Sequence, residues 1–357
     1  MSSRLSALFV AASALALAPL PALAHGGGGG STSQLAASIP GNPGYPEGVF
    51  FYGTRAYVTG PAAFVTAGSA ASRVWVYDTI FKRIVDEIPL VGEDLAAEHA
   101  ASGLAADVFG RLYILSTQLG VVRVTPYGRN RQEIYAPPLP DLPPCITSPA
   151  PCSPAPFDAP PLPNDIVFDR LGRAYVTDSL QATVFRIPYG GGTPEIWLQD
   201  PRFIASFGTN GLALSPDGRT LYVGVTGDPQ PGAIYSVPIM DHPTPADVTL
   251  FHQYEYPDPD GMAFGASGKL YVTLAYSNAI SVLRPDGTEE RRITGPMDSP
   301  GGPIPWDNPA VLSFNWWAPE VFVTNHALLS SDPAHFSVFT VQVGDRASVP
   351  ALPLILP

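Results

Sequence analysis

Apolar and polar positions alternate in short runs along this chain, and the runs are punctuated by Asp/Gly turn chemistry. The clearest stretch is Asn164-Asp-Ile-Val-Phe-Asp-Arg-Leu-Gly172-Arg-Ala-Tyr175-Val176. A polar residue leads, a small residue and an apolar run follow, a turn with Gly comes next, and an aromatic-aliphatic pair opens a second run. Period-two alternation across such a turn predicts two antiparallel strands joined by a hairpin. The same grammar recurs from Glu47, Ser102, Asn210, Asp260 and, more loosely, Asn308. Its aromatic marker falls at Tyr57, Tyr113, Tyr175, Tyr222, Tyr271 and Phe322, at intervals of 56, 62, 47, 49 and 51 residues.

A period near fifty residues suits a four-stranded blade and is too long for leucine-rich or ankyrin repeats. Each hairpin precedes another β-rich run: 72–77, 121–124, 183–187, 233–237, 279–282 and 337–341. Several of these end at Pro, which cannot donate a ladder hydrogen bond and so marks a strand's end. The pattern therefore predicts an all-β chain, a six-bladed β-propeller of four-stranded antiparallel blades, spanning 41–345 as one ring.

The flanks read differently. Arg4, the apolar stretch Ala7 to Ala18 and the small-x-small site Ala22-Leu-Ala24 predict a cleavable export signal over 1–24, with cleavage after Ala24. Pro19 and Pro21 interrupt the apolar run and disfavour a membrane anchor. Residues 25–40 begin with His25 and five glycines and read as a flexible segment; residues 346–357 read as a C-terminal tail. The expected location is secreted or periplasmic, with no membrane association after cleavage.

Composition adjusts this picture in two ways. Forty-two Pro and 34 Gly fit a chain of many turns rather than one of long helices. A formal net charge of -12 argues against nucleic-acid or anionic-membrane binding, either of which needs a basic patch. The expected partner is a small molecule, and the expected state a monomer. Cys145 and Cys152 lie in the proline-dense stretch 137–163, and in an exported protein they most simply form a local disulfide.

In a propeller the innermost strands run in one direction, so equivalent residues gather at one end of the central channel. Glu47, Ser102, Asn164, Asn210, Asp260 and Asn308 take that place, and every one carries a side-chain oxygen. Two positions on, the chain switches to Val49, Leu104, Ile166, Leu212, Met262 and Ala310. Such residues also cap turns before strands, but their recurrence at one repeat position favours a shared site. Oxygen-only donors suit a hard divalent cation, Ca2+ before zinc or copper. His326, directly after a marker strand in Val323-Thr-Asn-His326, is a candidate pocket residue; the alternative is a structural or solvated His.

Pro46-Glu47-Gly48, Pro163-Asn164-Asp165, Thr209-Asn210-Gly211-Leu212 through Gly218, and Pro259-Asp260-Gly261-Met262 resemble the senescence-marker-protein/gluconolactonase family. That family includes regucalcin and is related in fold to the paraoxonases. The resemblance covers about residues 40–345. It implies a divalent cation held by Glu47, Asn164, Asn210 and Asp260, and hydrolysis of lactones or related esters with Asp260 as acid/base.

Departures from the family pattern bear on substrate. Glu47-Gly-Val-Phe-Phe51 stands where the family reads Glu-Gly-Pro-x-Trp. Sugar-lactone members carry Arg where this chain has Leu162, and paraoxonase-like members place a catalytic His where Ser102 stands. A less polar substrate is therefore expected, in a pocket that includes Ser102, Leu162, Asn308 and His326. The Pro-rich segment should lie at the ring end as a semi-rigid wall, or else form a surface excursion between blades. The alternative function is a non-catalytic propeller that binds a ligand or protein around a structural cation, because the fold hosts both classes.

Overall fold

In a computed structural model the described residues are 33–62, 66–126, 131–227, 230–256, 258–348 and 352–356. The expected export signal (1–24) and the His25-glycine tract lie outside them. The described chain forms six four-stranded antiparallel sheets. Blade 1 holds β2 (Val49–Tyr52), β3 (Arg55–Gly60), β4 (Arg73–Asp78) and β5 (Arg83–Pro89). Blade 2 holds β6 (Ala101–Ala106), β7 (Leu112–Ser116), β8 (Gly120–Thr125) and β9 (Arg131–Ala136). Blade 3 holds β10 (Pro163–Phe168), β11 (Ala174–Asp178), β12 (Thr183–Ile187) and β13 (Glu195–Gln199). Blade 4 holds β14 (Thr209–Leu214), β15 (Thr220–Val225), β16 (Ala233–Pro238) and β17 (Thr249–Gln253). Blade 5 holds β18 (Pro259–Phe264), β19 (Leu270–Leu274), β20 (Ala279–Leu283) and β21 (Glu289–Thr294).

Blade 6 is composite. Its inner strands are β22 (Pro309–Phe314), β23 (Glu320–Asn325) and β24 (Ser337–Gln342), and its outer strand is β1 (Ser33–Ser38) from the other end of the chain. Ser33 pairs with Val341 and Ser38 with Ser337. Residues 33–38 fell within the segment expected to be flexible and belong instead to the ring. An edge strand needs only backbone pairing and a few apolar side chains, so it carries no hairpin or aromatic marker.

The inner strands β2, β6, β10, β14, β18 and β22 each neighbour the next, and β22 returns to β2. Between successive blades lies one apolar cluster, six in all. The aromatic markers explain why the period is legible. Tyr113 meets Phe168 of the next blade at 4.9 Å, Tyr222 meets Phe264 at 5.0 Å, Tyr271 meets Phe314 at 5.1 Å, and Phe322 stacks on Phe51 at 5.5 Å. Each large ring buries apolar area at a blade seam, where it contributes about 1.5–3 kcal/mol.

At the channel end reached by the hairpin turns, Asp107 and Asp169 are buried and paired. Asp107 accepts from the N–H groups of Phe109 and Arg111 at 2.9 and 3.0 Å, from Arg111 Nε at 2.6 Å and from the Tyr113 hydroxyl at 3.0 Å. Asp169 repeats the arrangement with Leu171, Arg173 and Tyr175. Gly110 and Gly172 supply the positive φ of +72° and +76° that each turn needs.

The C-terminal residues lie along the same end. Ala347 bridges Gly265 of blade 5, and Ser348 N–H donates to Phe264 O at 3.3 Å. On the other side, Pro353 O accepts from Val108 of blade 2 at 3.2 Å, and Ile355 is fully buried among residues of blades 2 and 3. Ser348 and Leu352 line the far end of an apolar cavity of about 170 Å³ inside the channel, with Asp165 at its ring end. The expected tail is thus tied to blades on opposite sides of the axis.

Candidate functional site

Each inner strand enters through a bulge. In blade 3, Pro163 opposes Asp178 while Ile166 opposes Val176, so Asn164 and Asp165 sit against the single residue Thr177. The same two-against-one register places Ser102-Gly103, Asn210-Gly211, Asp260-Gly261 and Ala310-Val311. In blade 1, Glu47 N–H donates to Thr59 O at 2.8 Å and Gly48 N–H to Thr59 Oγ1 at 3.0 Å, which puts Glu47-Gly48 in the equivalent place. A bulge re-aims the side chain of its unpaired residue, and here it does so at the mouth of the channel.

A buried hydroxyl ties these positions together around the ring. Thr177 Oγ1 donates to Asn210 O at 2.6 Å and Thr324 Oγ1 to Glu47 O at 2.5 Å. Thr59 donates to Ser102 O and Thr273 to Ala310 O. In each case the hydroxyl of one blade holds the ring carbonyl of the next. The small residue after the ring position follows from this crowding: a Cβ on Gly211 would come within 2.1 Å of Asp260 O, and one on Gly103 within 2.6 Å of Asn164 O.

Register and hydroxyl contacts both make Ala310 the sixth member, which corrects the expectation for Asn308. Asn308 lies 14 residues before Phe322, whereas the other members precede their markers by 10 to 12. Its side chain is spent on the adjoining loops, donating to Ala275 O at 3.0 Å and accepting from Leu329 N–H at 2.9 Å. The five side chains that do form the ring are all buried: Glu47, Ser102, Asn164, Asn210 and Asp260. Ser102 Oγ donates to Pro163 O at 2.7 Å. Leu162 is buried at the start of blade 3, its N–H on Asp178 Oδ1 at 3.0 Å. His326 is brought to the ring, with Nδ1 2.8 Å from Glu47 Oε2.

Electrostatics set this end apart. Asp260 is pushed well above the usual carboxylate range by burial first, then by the charges of Glu47 and Asp165; the Asn210 side chain and the Gly261 N–H oppose the rise. Asp165, on which the sequence reading placed no role, is a second buried carboxyl. It stands where four other copies have Gly, and it accepts from Ile166 and Leu212 N–H groups, each at 2.8 Å. Burial pushes it up to about 7, against those two hydrogen bonds. The available signal was an Asp in the small-residue slot of the repeat.

Two buried oxygens, Asn210 Oδ1 and Asp260 Oδ1, have no hydrogen-bond partner. Buried polar atoms are rarely left so, and a carboxyl and an amide oxygen in one charged cluster call for an account such as a bound ion or water. Among the described residues no Lys or Arg forms an ion pair with Glu47, Asp165 or Asp260, and no three His, Cys, Asp or Glu side chains gather as a metal cluster. The donor set that fits a hard cation is therefore a mixed one, two carboxylates with two amides, as oxygen-rich sites for such ions commonly are.

The Pro-rich segment lies at this same end. Leu142 N–H donates to Gln181 Oε1 at 2.5 Å, Ser153 Oγ to Gln181 O at 3.1 Å, and Gln199 Nε2 to Cys152 O at 2.9 Å. Cys145 and Cys152 form the expected disulfide. Leu139, Leu142, Ala155 and Ala159 are buried, so the segment is packed on blade 3, while Ile146 at its tip is exposed.

The sequence model of the SMP-30/Gluconolactonase/LRE-like region matches residues 158–304, which bears out the resemblance over that stretch. No curated protein matches the chain by sequence. Among solved structures, the chain is similar to a calcium-binding protein, regucalcin, from Agrobacterium tumefaciens, at 14% identity and a TM-score of 0.63, covering 90% of this chain and 97% of that one. It is also similar to a gluconolactonase from Xanthomonas campestris, at 18% identity and 0.57, covering 87% and 88%. A luciferin-regenerating enzyme shares 14% identity at 0.61, covering 92% and 100%. At these identities the structures bear on the fold, and all agree on it.

Proposed function

We propose that this chain is an exported, divalent-cation-dependent hydrolase of lactones or related esters, with its centre at Glu47, Asn164, Asn210 and Asp260. The family match and the named gluconolactonase support a lactonase-like activity. The observation that carries the cation is the pair of unpartnered oxygens, Asn210 Oδ1 and Asp260 Oδ1, among three buried carboxyls without a Lys or Arg. Ca2+ fits these donors best. A bound cation would supply the missing positive charge and polarise the scissile carbonyl.

The chain's own residues perform the rest. Asp260 takes the proton of the attacking water on a carboxylate oxygen and returns it to the leaving alkoxide. Its burial keeps bulk water from competing for that oxygen. Leu162 and the packed Pro-rich segment give the entrance an apolar wall, so esters less polar than sugar lactones are the expected substrates. The absence of Arg at 162 and of His at 102 favours a second reading, a non-catalytic binding module with a structural cation.

A panel of lactones and aryl esters, assayed with Ca2+ and after chelation, tests the proposal. Hydrolysis that chelation abolishes and Ca2+ restores is the expected result. No turnover on any substrate, with a melting temperature still raised by Ca2+, would replace the enzyme by the binding module.

A further inference from the structure

A second repeat position stands beside the ring. It is the residue that follows the second strand of each blade: Pro61, Thr117, Ser179, Thr226, Ala275 and His326. Two of these contact the side chains of proposed ligands. Asn210 Nδ2 donates to Thr226 Oγ1 at 2.8 Å, and Thr226 Oγ1 in turn donates to Pro259 O at 2.6 Å. His326 Nδ1 lies 2.8 Å from Glu47 Oε2, while Thr324, two residues earlier on the same face, holds Glu47 O.

We propose that Thr226 and His326 are the positioning residues of this centre, fixing which atoms of Asn210 and Glu47 face inward. The inference rests on the cation reading above. An amide has an oxygen end and a nitrogen end, and only the oxygen can ligate a hard cation. Thr226 has one proton, and that proton is committed to Pro259 O. It therefore meets Asn210 only as an acceptor, which selects the nitrogen end and leaves Oδ1 for the centre. The unpartnered state of Asn210 Oδ1 is what this selection predicts.

His326 does the equivalent for Glu47 across the seam where the ring closes. The sixth ring position is Ala310, which has no polar side chain, and His326 belongs to that same blade. With Nδ1–H on Oε2, Glu47 has one oxygen fixed and the other left for the centre. Outer partners of this kind are worth about 10–100-fold in metal affinity. Thr226 and His326 are 4% and 6% exposed, so neither is freely solvated.

Titration calorimetry of Ca2+ into the chelator-treated full chain tests this without an activity assay. Thr226→Val and His326→Leu should each weaken binding about 10–100-fold. Thr226→Ser and His326→Gln, which restore an acceptor and a donor, should recover to within several-fold of the unmodified protein. Melting temperatures of the cation-free variants should not track this order. Valine and leucine variants that bind as tightly as the unmodified protein would overturn the proposal, as would conservative variants that bind no better than they do. An unmodified chain that binds no Ca2+ would overturn the cation reading, and this inference with it.

Discussion

The two ends of the channel treat the same residue type in opposite ways. At the far end, Asp107 and Asp169 are buried, and both oxygens of each are satisfied by backbone N–H groups, an Arg and a Tyr. At the ring end, Glu47, Asp165 and Asp260 are also buried, but Asp260 Oδ1 has no partner, and among the described residues the one ion-pair contact to these carboxyls is from His326 to Glu47. Burying a charge is costly unless it is paired. The far end meets that cost within the chain and so serves the fold. The ring end has no Lys or Arg to meet it among the described residues, and that is the contrast on which the proposed cation rests.

Asp260→Asn breaks this contrast most strongly. It should lower ester or lactone hydrolysis about 10²–10⁴-fold, because it removes the proposed acid/base. The cation-free variant should melt no lower than the unmodified protein, since a buried carboxyl with an unpartnered oxygen becomes a neutral amide. Unchanged turnover in steady-state assays would end the mechanism.

Asp107→Asn should do the reverse. Breaking a buried, paired carboxylate costs about 3 kcal/mol, to be read by urea denaturation, while hydrolysis per folded molecule stays the same. A variant as stable as the unmodified chain would show that the far end is not held by its ion pairs.

Asp178 sharpens the comparison through pH. It accepts the N–H groups of Leu162, Leu180 and Gln181, yet burial pushes it from 3.8 up to about 6. Its folded value lies above its unfolded one, so between these two pH values the folded state binds the extra proton. Stability therefore falls as pH rises through that window, by about 2 kcal/mol. In the cation-free protein, Asp178→Asn should shrink the difference in unfolding free energy between pH 4 and pH 7 by that order. An unaltered difference would mean that Asp178 titrates alike in both states.

The smallest effect belongs to the Pro-rich segment. Replacing Pro144 to Pro154 by a short Gly/Ser linker should alter relative rates across the ester panel about tenfold and leave Ca2+ affinity intact. An unchanged profile would make the segment a surface excursion that touches no substrate.

The repeat was legible because its signals are local. Alternation, Gly turns and one aromatic per copy lie within about a dozen residues of each other, and the six third-strand runs coincide with β4, β8, β12, β16, β20 and β24. What escaped depends on distant pairing. β1 has no marker of its own and becomes a strand only against β24. The last copy is irregular, so Asn308 imitates the sixth ring member in sequence, whereas the bulge register and the Thr273 contact identify Ala310. Thr226 and Asp165 matter through their partners Pro259 and Leu212, in the next blade around. No spacing within one copy announces such a contact.

The composite sixth blade has a consequence for the order in which the molecule can be made. Blades 1 to 5 are each drawn from consecutive strands, so each can form as soon as its own stretch of chain is available. Blade 6 cannot, because β1 emerges first and its partner β24 emerges nearly last. Pairings between such distant residues are the slow ones in folding. Until that final pairing, the outer edges of β1 and β24 are open templates for another chain. Glu47, whose carbonyl and carboxylate are held by Thr324 and His326 at the end of β23, likewise waits for the inner part of blade 6. The sixth blade, and with it the ring end, is therefore the last part of the molecule to be completed.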